Sequence, residues 1–445
     1  MTDSLSTKQQ RIAFVDWFRG SSPYIHSHRN CTFVISFGGE AIQSEFFTSL
    51  VHDFALLNSL GIHLVLVHGI RPQINQRLQT LETKPQYVDH LRITDSTSLR
   101  CAIEAAGQVR IELESQLSLG LANSPMAGAK IKVVSGNYIT AKPIGVLNGV
   151  DFQHTGEVRH VDSEAIHQQL DQNNVVLISS IGYSPSGDIF NLCAEDVATE
   201  LAIALQAEKL ILMTEQSCII PENDQLIQQM TTTEAETFIQ KNPAISPLIK
   251  KPVSAAIKGC QSGVNRVHLI DRNHDGALLL ELFSRDGIGT LISSTPFEKF
   301  RPATLEDIGG ILELINPLEK QGKLIKRSKE RLEIDIADYV VIERDGLIIG
   351  CGALHLFHDN STGEIACIAV HEDYQHASRG SLLLEYVCDK AKQNNIKKLY
   401  VLSTQTMHWF IERGFQAIEL ESLAPQLKDL YNQQRNSKIF CKRIS

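Results

Sequence analysis

The chain has 445 residues and a formal net charge of −9, and 43% of its residues are apolar and 21% are charged. This length exceeds what one ordinary hydrophobic core serves, so we expect two or three domains. The negative charge argues against general nucleic-acid binding, because a phosphate backbone attracts basic surfaces.

The sequence lacks the patterns that mark a membrane, secreted or metal-binding protein. No apolar run reaches the roughly 18 residues that cross a bilayer, and residues 1–10 have no apolar signal-peptide core. The nine cysteines include no C-x-x-C pair, and the 16 histidines include no H-E-x-x-H spacing. We therefore expect a cytoplasmic protein without a membrane, nucleic-acid or metal partner.

Residues 1–29 are predicted to form an N-terminal helix and arm ahead of the first domain. Phe14, Trp17 and Phe18 give this helix an apolar face, and Gly20 to Pro23 end it because proline cannot continue a helix. Such a helix docks either on its own domain or on a neighbouring subunit, and the residues leave both possibilities open.

Residues 30–293 alternate predicted strands with predicted helices. Cys31 to Phe37 ends at Gly38-Gly39, and Ile62 to Val67 ends at His68-Gly69. Later strands are predicted over Lys130 to Ser135, Val175 to Ser180, Lys209 to Met213 and Arg266 to Leu269. This alternation predicts an α/β domain with a largely parallel sheet, whose active edge lies at the carboxyl ends of the strands.

A polar segment with two prolines, residues 294–302, is predicted to be a linker. Residues 303–445 then begin with a helix that Thr304 can cap. Strands are expected over Tyr339 to Glu343 and Leu347 to Leu356. This order of elements predicts an α+β second domain.

The most informative stretch of the second domain runs from Gly363 to Lys392. An apolar strand, Ile365 to Val370, leads into a polar loop that opens an amphipathic helix. The N–H groups at the start of a helix have no partner within it, and the helix dipole is positive there. The stretch therefore predicts a binding site for a phosphate or pyrophosphate.

Residues 30–292 resemble the amino-acid kinase family, and acetylglutamate kinase in particular. The resemblance rests on Gly38-Gly39, His68-Gly69, Asn191 to Ala198 and Leu278 to Thr290. It implies a domain in which a parallel sheet is sandwiched between layers of helices.

Three departures from the kinase pattern indicate that phosphoryl transfer has been lost. Ser36 stands where the kinases have a lysine that offsets the charge of the transferred phosphoryl group. Ile70-Arg71 replaces glycines that let the backbone approach phosphates, and Glu195 replaces the catalytic aspartate.

The same resemblance implies an allosteric arginine site, because the segment ending at Thr290 is typical of arginine-sensitive members. Glu281 is the candidate partner of the guanidinium, and Tyr24, His268 and Gly287 would help to form the pocket. The residues alone fit equally a solvent-facing acid at Glu281 and a satisfied core histidine at His268.

Gln375 to Gly380 resembles the pyrophosphate-binding motif of the GCN5-related N-acetyltransferases, with Ser378 in place of the first glycine. Trp409 to Phe415 resembles a later aromatic segment of that family. The resemblance implies an α+β acetyltransferase domain that uses acetyl-CoA. The residues that would bind acetyl-CoA are Ile368, Ala369, Val370, Gln375, His376, Ala377, Ser378, Arg379, Gly380 and Ser381.

A kinase-like domain followed by an acetyltransferase domain resembles the bacterial N-acetylglutamate synthase family over nearly the whole chain. This resemblance implies transfer of the acetyl group of acetyl-CoA to the α-amine of L-glutamate, the first step of arginine synthesis. It also implies feedback inhibition by L-arginine and a homo-oligomer, in the form of a hexamer.

Glu364 is the candidate general base for this reaction. It is the only acid at the head of an apolar strand, where burial raises a carboxyl pKa, although an exposed strand-end glutamate is the alternative. Phe410 stands where the family often has a tyrosine that protonates the leaving thiolate. Ser403 is a possible substitute, or no acid is needed.

Cationic groups are expected to bind the two carboxylates of glutamate. By the resemblance, Lys326 or Arg327 would hold one carboxylate, and Arg435 with Ser437 would hold the other. Without the resemblance, these basic runs are typical of a solvated surface.

Two rival functions follow from the same residues. An active acetylglutamate kinase with an appended acetyltransferase is opposed by Ser36 and Glu195, and an ATP-dependent phosphorylation assay decides it. A non-catalytic arginine sensor is opposed by Glu364 and the cofactor turn, and acetyl-CoA-dependent thiol release with glutamate decides it.

Overall fold

A computed structural model describes residues 7–120, 124–217, 219–220, 225–344, 346–357, 361–375, 378–423, 428, 431 and 437–444. The chain divides into two compact units, residues 1–295 and 296–445. The boundary falls inside the segment that the sequence predicts as a linker.

The first unit contains the elements expected of an α/β domain. Its helices are α1 (Thr7–Gly20), α2 (Ser22–His28), α3 (Gly39–Ile42), α4 (Phe47–Ser59), α5 (Arg71–Thr80), α6 (Ser96–Leu117), α7 (Ser163–Leu170), α8 (Ala194–Ala204), α9 (Thr232–Lys241), α10 (Pro247–Gln261) and α11 (Ala277–Phe283). Its strands are β1 (Thr32–Phe37), β2 (His63–His68), β3 (Gln86–Val88), β4 (Leu91–Ile93), β5 (Val133–Val134), β6 (Ile139–Pro143), β7 (Val146–Leu147), β8 (Val150–Asp151), β9 (Gly156–Val161), β10 (Val175–Ser179), β11 (Ile181–Tyr183), β12 (Ile189–Asn191), β13 (Lys209–Thr214), β14 (Ile219–Ile220), β15 (Gln225–Leu226), β16 (Gln229–Thr231), β17 (Arg266–Asp271) and β18 (Thr290–Ser293).

An eight-stranded sheet in the order β16-β18-β17-β13-β1-β2-β10-β5 forms the centre of the first unit. Its pairs are parallel except for the antiparallel pair of β17 and β18. Phe33, Ile35 and Phe37 point into one apolar core, and Val34 points into the other. Because both faces of β1 are buried, the sheet carries helices on both sides, which confirms the predicted α/β class.

The N-terminal segment forms two helices where the sequence predicts one. Pro23 lies in the first turn of α2, a position that tolerates proline, so the chain resumes a helix after Ser21. Ser21 Oγ donates to the Phe283 carbonyl oxygen at 3.0 Å, which fixes this junction on α11. In α1, by contrast, Phe14 and Phe18 are 65% and 56% exposed, so its own domain does not cover the apolar face.

The second unit contains helices on both faces of one sheet. Its helices are α12 (Ile308–Lys320), α13 (Lys329–Asp335), α14 (Arg379–Gln393) and α15 (Met407–Ile411), and its strands are β19 (Glu298–Pro302), β20 (Tyr339–Arg344), β21 (Leu347–Leu356), β22 (Thr362–Val370), β23 (Lys398–Ser403), β24 (Gln416–Ile418) and β25 (Lys438–Arg443). The sheet has the order β19-β20-β21-β22-β23-β25-β24, and β22 with β23 is its parallel pair. The predicted α+β class is confirmed.

The linker predicted over residues 294–302 is wrong for its second half, because Glu298–Pro302 forms β19. This strand pairs antiparallel with β20 and occupies the edge of the sheet, where prolines are tolerated. Arg301 of β19 donates hydrogen bonds to Asp307 and Glu343. These bonds hold β19 against the rest of the second unit. Within the described part of the chain, no helix has the length and apolarity needed to cross a membrane.

Candidate active site

A bulge in β22 opens the sheet of the second unit. The register with β21 shifts between Cys351 and Ala353, and Cys367 adopts a positive φ of 54°. The parallel pairing with β23 extends only to Ile365 and Val401, although β22 continues to Val370. The two strands therefore separate beyond Ile365, and the backbone of Ile368, Ala369 and Val370 borders the opening.

The polar turn after β22 leads directly into α14, as predicted. Ser378 is the residue before the helix and has φ 58° and ψ 16°, the left-handed conformation that glycine adopts at least cost. The Ser378 carbonyl accepts from the N–H groups of Ser381 and Leu382 at 2.8 and 3.0 Å. The earlier N–H groups of the helix have no helical carbonyl to bond, which suits them to an anion.

Gln375 and Ser381, at the two ends of the predicted cofactor turn, make hydrogen bonds with neighbouring elements. Gln375 Nε2 donates to the Val370 carbonyl at 3.3 Å, so the turn folds back on the end of β22. Ser381 Oγ accepts from Arg413 Nε and Nη2 at 3.0 and 2.7 Å, and Arg413 stacks 4.2 Å above the Trp409 ring. His376 and Ala377 lie outside the described residues.

Glu364 lies near the start of β22, opposite His355 of β21 and Tyr400 of β23. Its side chain is half-buried. Burial raises the pKa of Glu364, and the positive charges of His355 and Arg327 oppose that rise. Burial thus acts in the direction that the sequence predicts, and a carboxyl group with a raised pKa is suited to accept a proton near neutral pH.

His355 connects Glu364 to a second carboxylate. Its Nδ1 lies 2.7 Å from Asp338 Oδ2. Burial lowers the pKa of His355, but the hydrogen bond and charge of Asp338 and the charge of Glu364 outweigh burial and raise it. The two carboxylates therefore flank an imidazole that tends to be positively charged.

The basic cluster places two predicted glutamate ligands in different surroundings. Lys326 is exposed, whereas Arg327 is half-buried and its N–H and Nη1 bond Glu319 and the Ile325 carbonyl. The hydrogen bond with Cys351 lowers the pKa of Cys367, at the bulge of β22, and the charge of Arg327 lowers it further. Arg327 is thus the cation of this pair that lies close to the opened strand.

Ser403 and Ser437 come together through the pairing of β23 with β25. Ser403 pairs with Lys438, the residue after Ser437, and both serines are buried. Ser403 Oγ lies 2.9 Å from Thr406 Oγ1, so its hydroxyl stabilises the turn before α15. Arg435 lies outside the described residues.

In the first unit, Glu281 is buried on α11 rather than facing solvent. Its Oε1 lies 2.6 Å from His268 Nδ1, and its Oε2 accepts from the N–H groups of Ile288 and Gly289 at 2.8 Å each. Burial alone would raise the pKa of Glu281, but these hydrogen bonds outweigh it and lower the pKa. Glu281 is therefore an ionised carboxylate inside the domain.

His268 also contacts a lysine that the sequence analysis did not identify as a site residue. Lys209 Nζ lies 3.4 Å from His268 Nε2. Burial and the charge of Lys209 lower the pKa of His268, so a neutral imidazole bridges the lysine and Glu281. Both ring nitrogens are partnered, as expected for a satisfied core histidine.

Gly287 adjoins the Glu281 carboxylate, as the arginine-site prediction requires. It has a φ of 61°, and a Cβ there would collide with Glu281 Oε2. Tyr24 lies on α2, which packs on α11 through His28 and Phe283, whose rings are 5.6 Å apart. Glu281, His268 and Gly287 therefore form one cluster, and the helix that carries Tyr24 packs on α11.

A cavity of about 1020 Å³ occupies the carboxyl ends of β1, β2 and β13 in the same unit. A Cβ at Gly38 would collide with Glu40 Oε2, and Glu215 Oε1 lies 3.6 Å from the same point. Burial and the charge of Glu215 raise the pKa of Glu40. Arg272 donates to both carboxylate oxygens of Glu215, so the acids at this turn already have a cationic partner.

The residue that replaces the catalytic aspartate is enclosed in its own network. Glu195 Oε2 accepts from Cys193 Sγ at 2.7 Å, and Lys251 Nζ donates to the same sulfur. Burial would raise the pKa of Glu195, but Lys251 and Cys193 outweigh it and lower the pKa. Cys193 and Lys251 thus already engage this carboxylate, and the loss of phosphoryl transfer stays a prediction.

Comparison with known proteins identifies the family. The sequence matches the amino acid kinase family over residues 32–271 and the acetyltransferase (GNAT) family over residues 310–421. An amino-acid acetyltransferase of Pseudomonas fluorescens (strain SBW25) is 47% identical over 431 residues, which are 97% of this chain and 99% of the relative. The chain belongs to the amino-acid acetyltransferase family. It is therefore an enzyme that uses acetyl-CoA, as the resemblance predicted.

Amino-acid acetyltransferases of known structure share this architecture. N-acetylglutamate synthase from Neisseria gonorrhoeae, complexed with coenzyme A and L-arginine, matches with a TM-score of 0.88 and 37% identity. Its complex with coenzyme A and N-acetyl-glutamate matches with a TM-score of 0.62. Both matches cover 97% of this chain and 99% of the other, which confirms the predicted two-domain resemblance.

Several site residues of this acetyltransferase escaped the sequence reasoning. Glu298 and Arg413 contact the cofactor turn from 81 and 32 residues away. Lys209 reaches His268 across 59 residues. A polar residue in a presumed linker or surface helix gives no local pattern, so only the fold reveals these contacts. Among the described residues, no cluster of three or more His, Cys, Asp or Glu side chains could hold a metal ion.

The left-handed residue at the cofactor turn gives a direct test. Ser378→Gly keeps the turn because glycine adopts its φ of 58° freely, whereas a β-branched Ser378→Val does not. We expect Ser378→Val to raise KM for acetyl-CoA by about tenfold, since left-handed backbone costs about 1–2 kcal/mol for such residues. Steady-state kinetics of both variants check this, and equal KM values would contradict it.

Proposed function

We propose that the second unit transfers the acetyl group of acetyl-CoA to the α-amine of L-glutamate, and that L-arginine bound to the first unit inhibits the transfer. The reaction is the first step of arginine synthesis. The observation that carries this proposal is Glu364, a half-buried carboxyl group with a raised pKa at the head of the opened strand. The Neisseria gonorrhoeae enzyme, which binds coenzyme A with L-arginine or N-acetyl-glutamate, supports the choice of ligands.

The cofactor turn fits the pyrophosphate of acetyl-CoA. The start of α14 supplies backbone N–H donors and the positive end of a helix dipole, and Ser378 shapes the approach. The opening between β22 and β23 gives the acyl arm a path along Ile368 to Val370. Acetyl-CoA supplies the thioester, and the protein supplies position and charge.

Glu364 starts the reaction by accepting a proton from the α-ammonium group of glutamate, directly or through water. The neutral amine then attacks the thioester carbonyl, and the C–N bond forms as the carbon becomes tetrahedral. A backbone N–H of the segment Ile368 to Val370 stabilises the oxyanion. As the C–S bond breaks, the cationic nitrogen loses its second proton to solvent and becomes the amide. The thiolate takes a proton from solvent or from Ser403, which regains its proton from solvent.

The glutamate carboxylates meet the two predicted cationic groups. Arg327 lies beside β22 and holds one carboxylate, with the exposed Lys326 nearer to solvent. Arg435 and Ser437 hold the other carboxylate. A cationic group for each carboxylate selects a dicarboxylic amino acid over an aliphatic one.

Inhibition starts in the cluster around Glu281. A carboxylate oxygen accepts more than one hydrogen bond, so Glu281 retains acceptor capacity for a guanidinium. Gly287 lies against the carboxylate, and α2, which carries Tyr24, packs on α11 through His28 and Phe283. The exposed apolar face of α1 supports assembly into a homo-oligomer. By the resemblance, this homo-oligomer is a hexamer that acts in the cytoplasm.

Thiol release from acetyl-CoA, measured across the amino acids with and without arginine, tests the proposal. We expect glutamate to give the highest kcat/KM and arginine to reduce its turnover. Glutamate no better than leucine would remove the substrate assignment. ADP formation with ATP and N-acetylglutamate would instead favour the kinase alternative.

The first prediction concerns the general base. Glu364→Gln removes the proton acceptor and should lower kcat by about 100-fold or more, while KM for acetyl-CoA stays near the wild-type value. In the wild type, kcat/KM falls as the pH drops through the raised pKa of Glu364, because protonation removes the base. The variant should lack this acidic limb.

Glu385→Gln, an exposed change of the same kind on α14, is the control. An unchanged kcat in Glu364→Gln would exclude Glu364 as the general base.

The second prediction concerns the effector. Glu281→Gln keeps the shape of the side chain beside Gly287 but removes its charge. A hydrogen bond to a charged group contributes about 1.5–3 kcal/mol, so the arginine concentration for half-inhibition should rise by about tenfold or more. Uninhibited turnover should stay near the wild-type rate. Inhibition by arginine at the wild-type concentration would exclude Glu281 as a ligand.

A further inference from the structure

Glu298 is half-buried between two arginines at the edge of the second unit. Arg379 Nη2 donates to its Oε1 at 2.6 Å, and Arg379 Nε reaches both carboxylate oxygens at 3.0 and 2.9 Å. Arg344 Nη1 donates to Oε1 at 2.7 Å. The three side chains are 14%, 14% and 7% exposed in the order Glu298, Arg379, Arg344, so water screens their charges poorly.

Aromatic rings complete the enclosure. Arg379 lies 5.5 Å from the centre of the Tyr374 ring, and its Nη1 donates to the Tyr374 carbonyl at 3.3 Å. Arg344 lies 5.2 Å from the Tyr374 ring and 4.9 Å from that of Phe297. Glu298 therefore anchors both ends of the cofactor turn, because Tyr374 precedes the turn and Arg379 begins α14.

The two guanidinium groups favour the ionised form of Glu298, whose negative charge lies between them. Burial would raise its pKa, but the hydrogen bonds and charges of Arg379 and Arg344 outweigh burial and lower it. Removing the carboxylate would leave two adjacent buried guanidiniums that repel each other. Arg379 would then lose the partner that sets its orientation, and the start of α14 would lose its fixed position.

Glu298 also lies close in sequence to the effector cluster. The Gly289 N–H donates to Glu281, β18 follows at Thr290–Ser293, and Glu298 comes nine residues after Gly289. Between β18 and β19, the path from the arginine cluster to the cofactor turn includes only residues 294–297. The effector cluster and Glu298 are therefore joined by a short stretch of chain.

We propose that Glu298 is the positioning residue that holds the acetyl-CoA turn through Arg379, and that it is the point where arginine binding acts on that turn. This proposal rests on the acetyl-CoA and arginine sites of the proposed function. Arginine displaces the loop at Gly289, the short connection pulls on β19, and the Glu298–Arg379 contact changes. A change in this contact alters how the N–H groups of α14 meet the pyrophosphate.

The test uses full-length Glu298→Gln, which keeps the size of the side chain and removes its charge. We expect KM for acetyl-CoA to rise by about tenfold, which corresponds to about 1.4 kcal/mol, with KM for glutamate within about twofold of wild type. Arginine should inhibit the variant less than the wild type. Glu306→Gln, an exposed change of the same kind next to β19, is the matched control and should behave as wild type.

Two further variants separate positioning from general damage. Glu298→Asp retains the charge and should recover most of the acetyl-CoA affinity, which a purely steric role would not predict. Arg379→Gln combined with Glu298→Gln should raise KM no further than either single change, because both remove one interaction. If Glu298→Gln fails to fold by circular dichroism, Arg379→Gln measures the same contact from its other side.

The outcomes distinguish this proposal from the proposed function. A wild-type enzyme without glutamate-dependent thiol release would refute the function itself. An active wild type with an unchanged acetyl-CoA KM in Glu298→Gln would overturn the positioning role alone. A raised KM with unaltered arginine inhibition would overturn the regulatory role of Glu298.

Discussion

The bulge at Cys367 is the constraint on which the second unit depends. It shifts the register of β22 against β21 and, beyond Ile365, β22 no longer pairs with β23. A fully paired sheet would satisfy the backbone groups of Ile368 to Val370 internally and leave no room for an acyl chain. The separated strands instead present backbone donors beside Glu364 on one side and the helix start on the other. The proposed base, acyl path and anion site all lie on this strand or at the start of the helix that follows it.

The first unit shows how a fold persists after its chemistry changes. The carboxyl ends of its parallel strands still frame a large cavity, but Glu40 and Glu215 place acids at the glycine turn. The same unit keeps a different charge network intact, in which Lys209, His268 and Glu281 are linked inside the domain. We propose that this buried network is the part of the unit that binds the effector.

Local patterns predicted the elements that the site needs, and long-range contacts decided their details. The strand Ile365 to Val370 and the helix after it were predictable because the spacing of apolar residues within a short window indicates each element. Ser378 has the left-handed backbone conformation that explains why the family motif has glycine at this position. Serine is small and adopts the same conformation here. The linker at 294–302 was wrong in part because a strand at a sheet edge can be polar and contain prolines. The partners of Glu298 and Glu281 lie far away in sequence, so no periodic pattern could reveal them.

Amide hydrogen exchange at Arg379 and Gly380 most directly tests the claim that the first unit controls the cofactor turn. Acetyl-CoA should slow exchange of these amides, because its pyrophosphate bonds the first N–H groups of α14. Adding arginine should restore part of the exchange in the wild type. If arginine inhibits turnover while these amides stay equally protected, control of the enzyme runs through another element and this account is wrong.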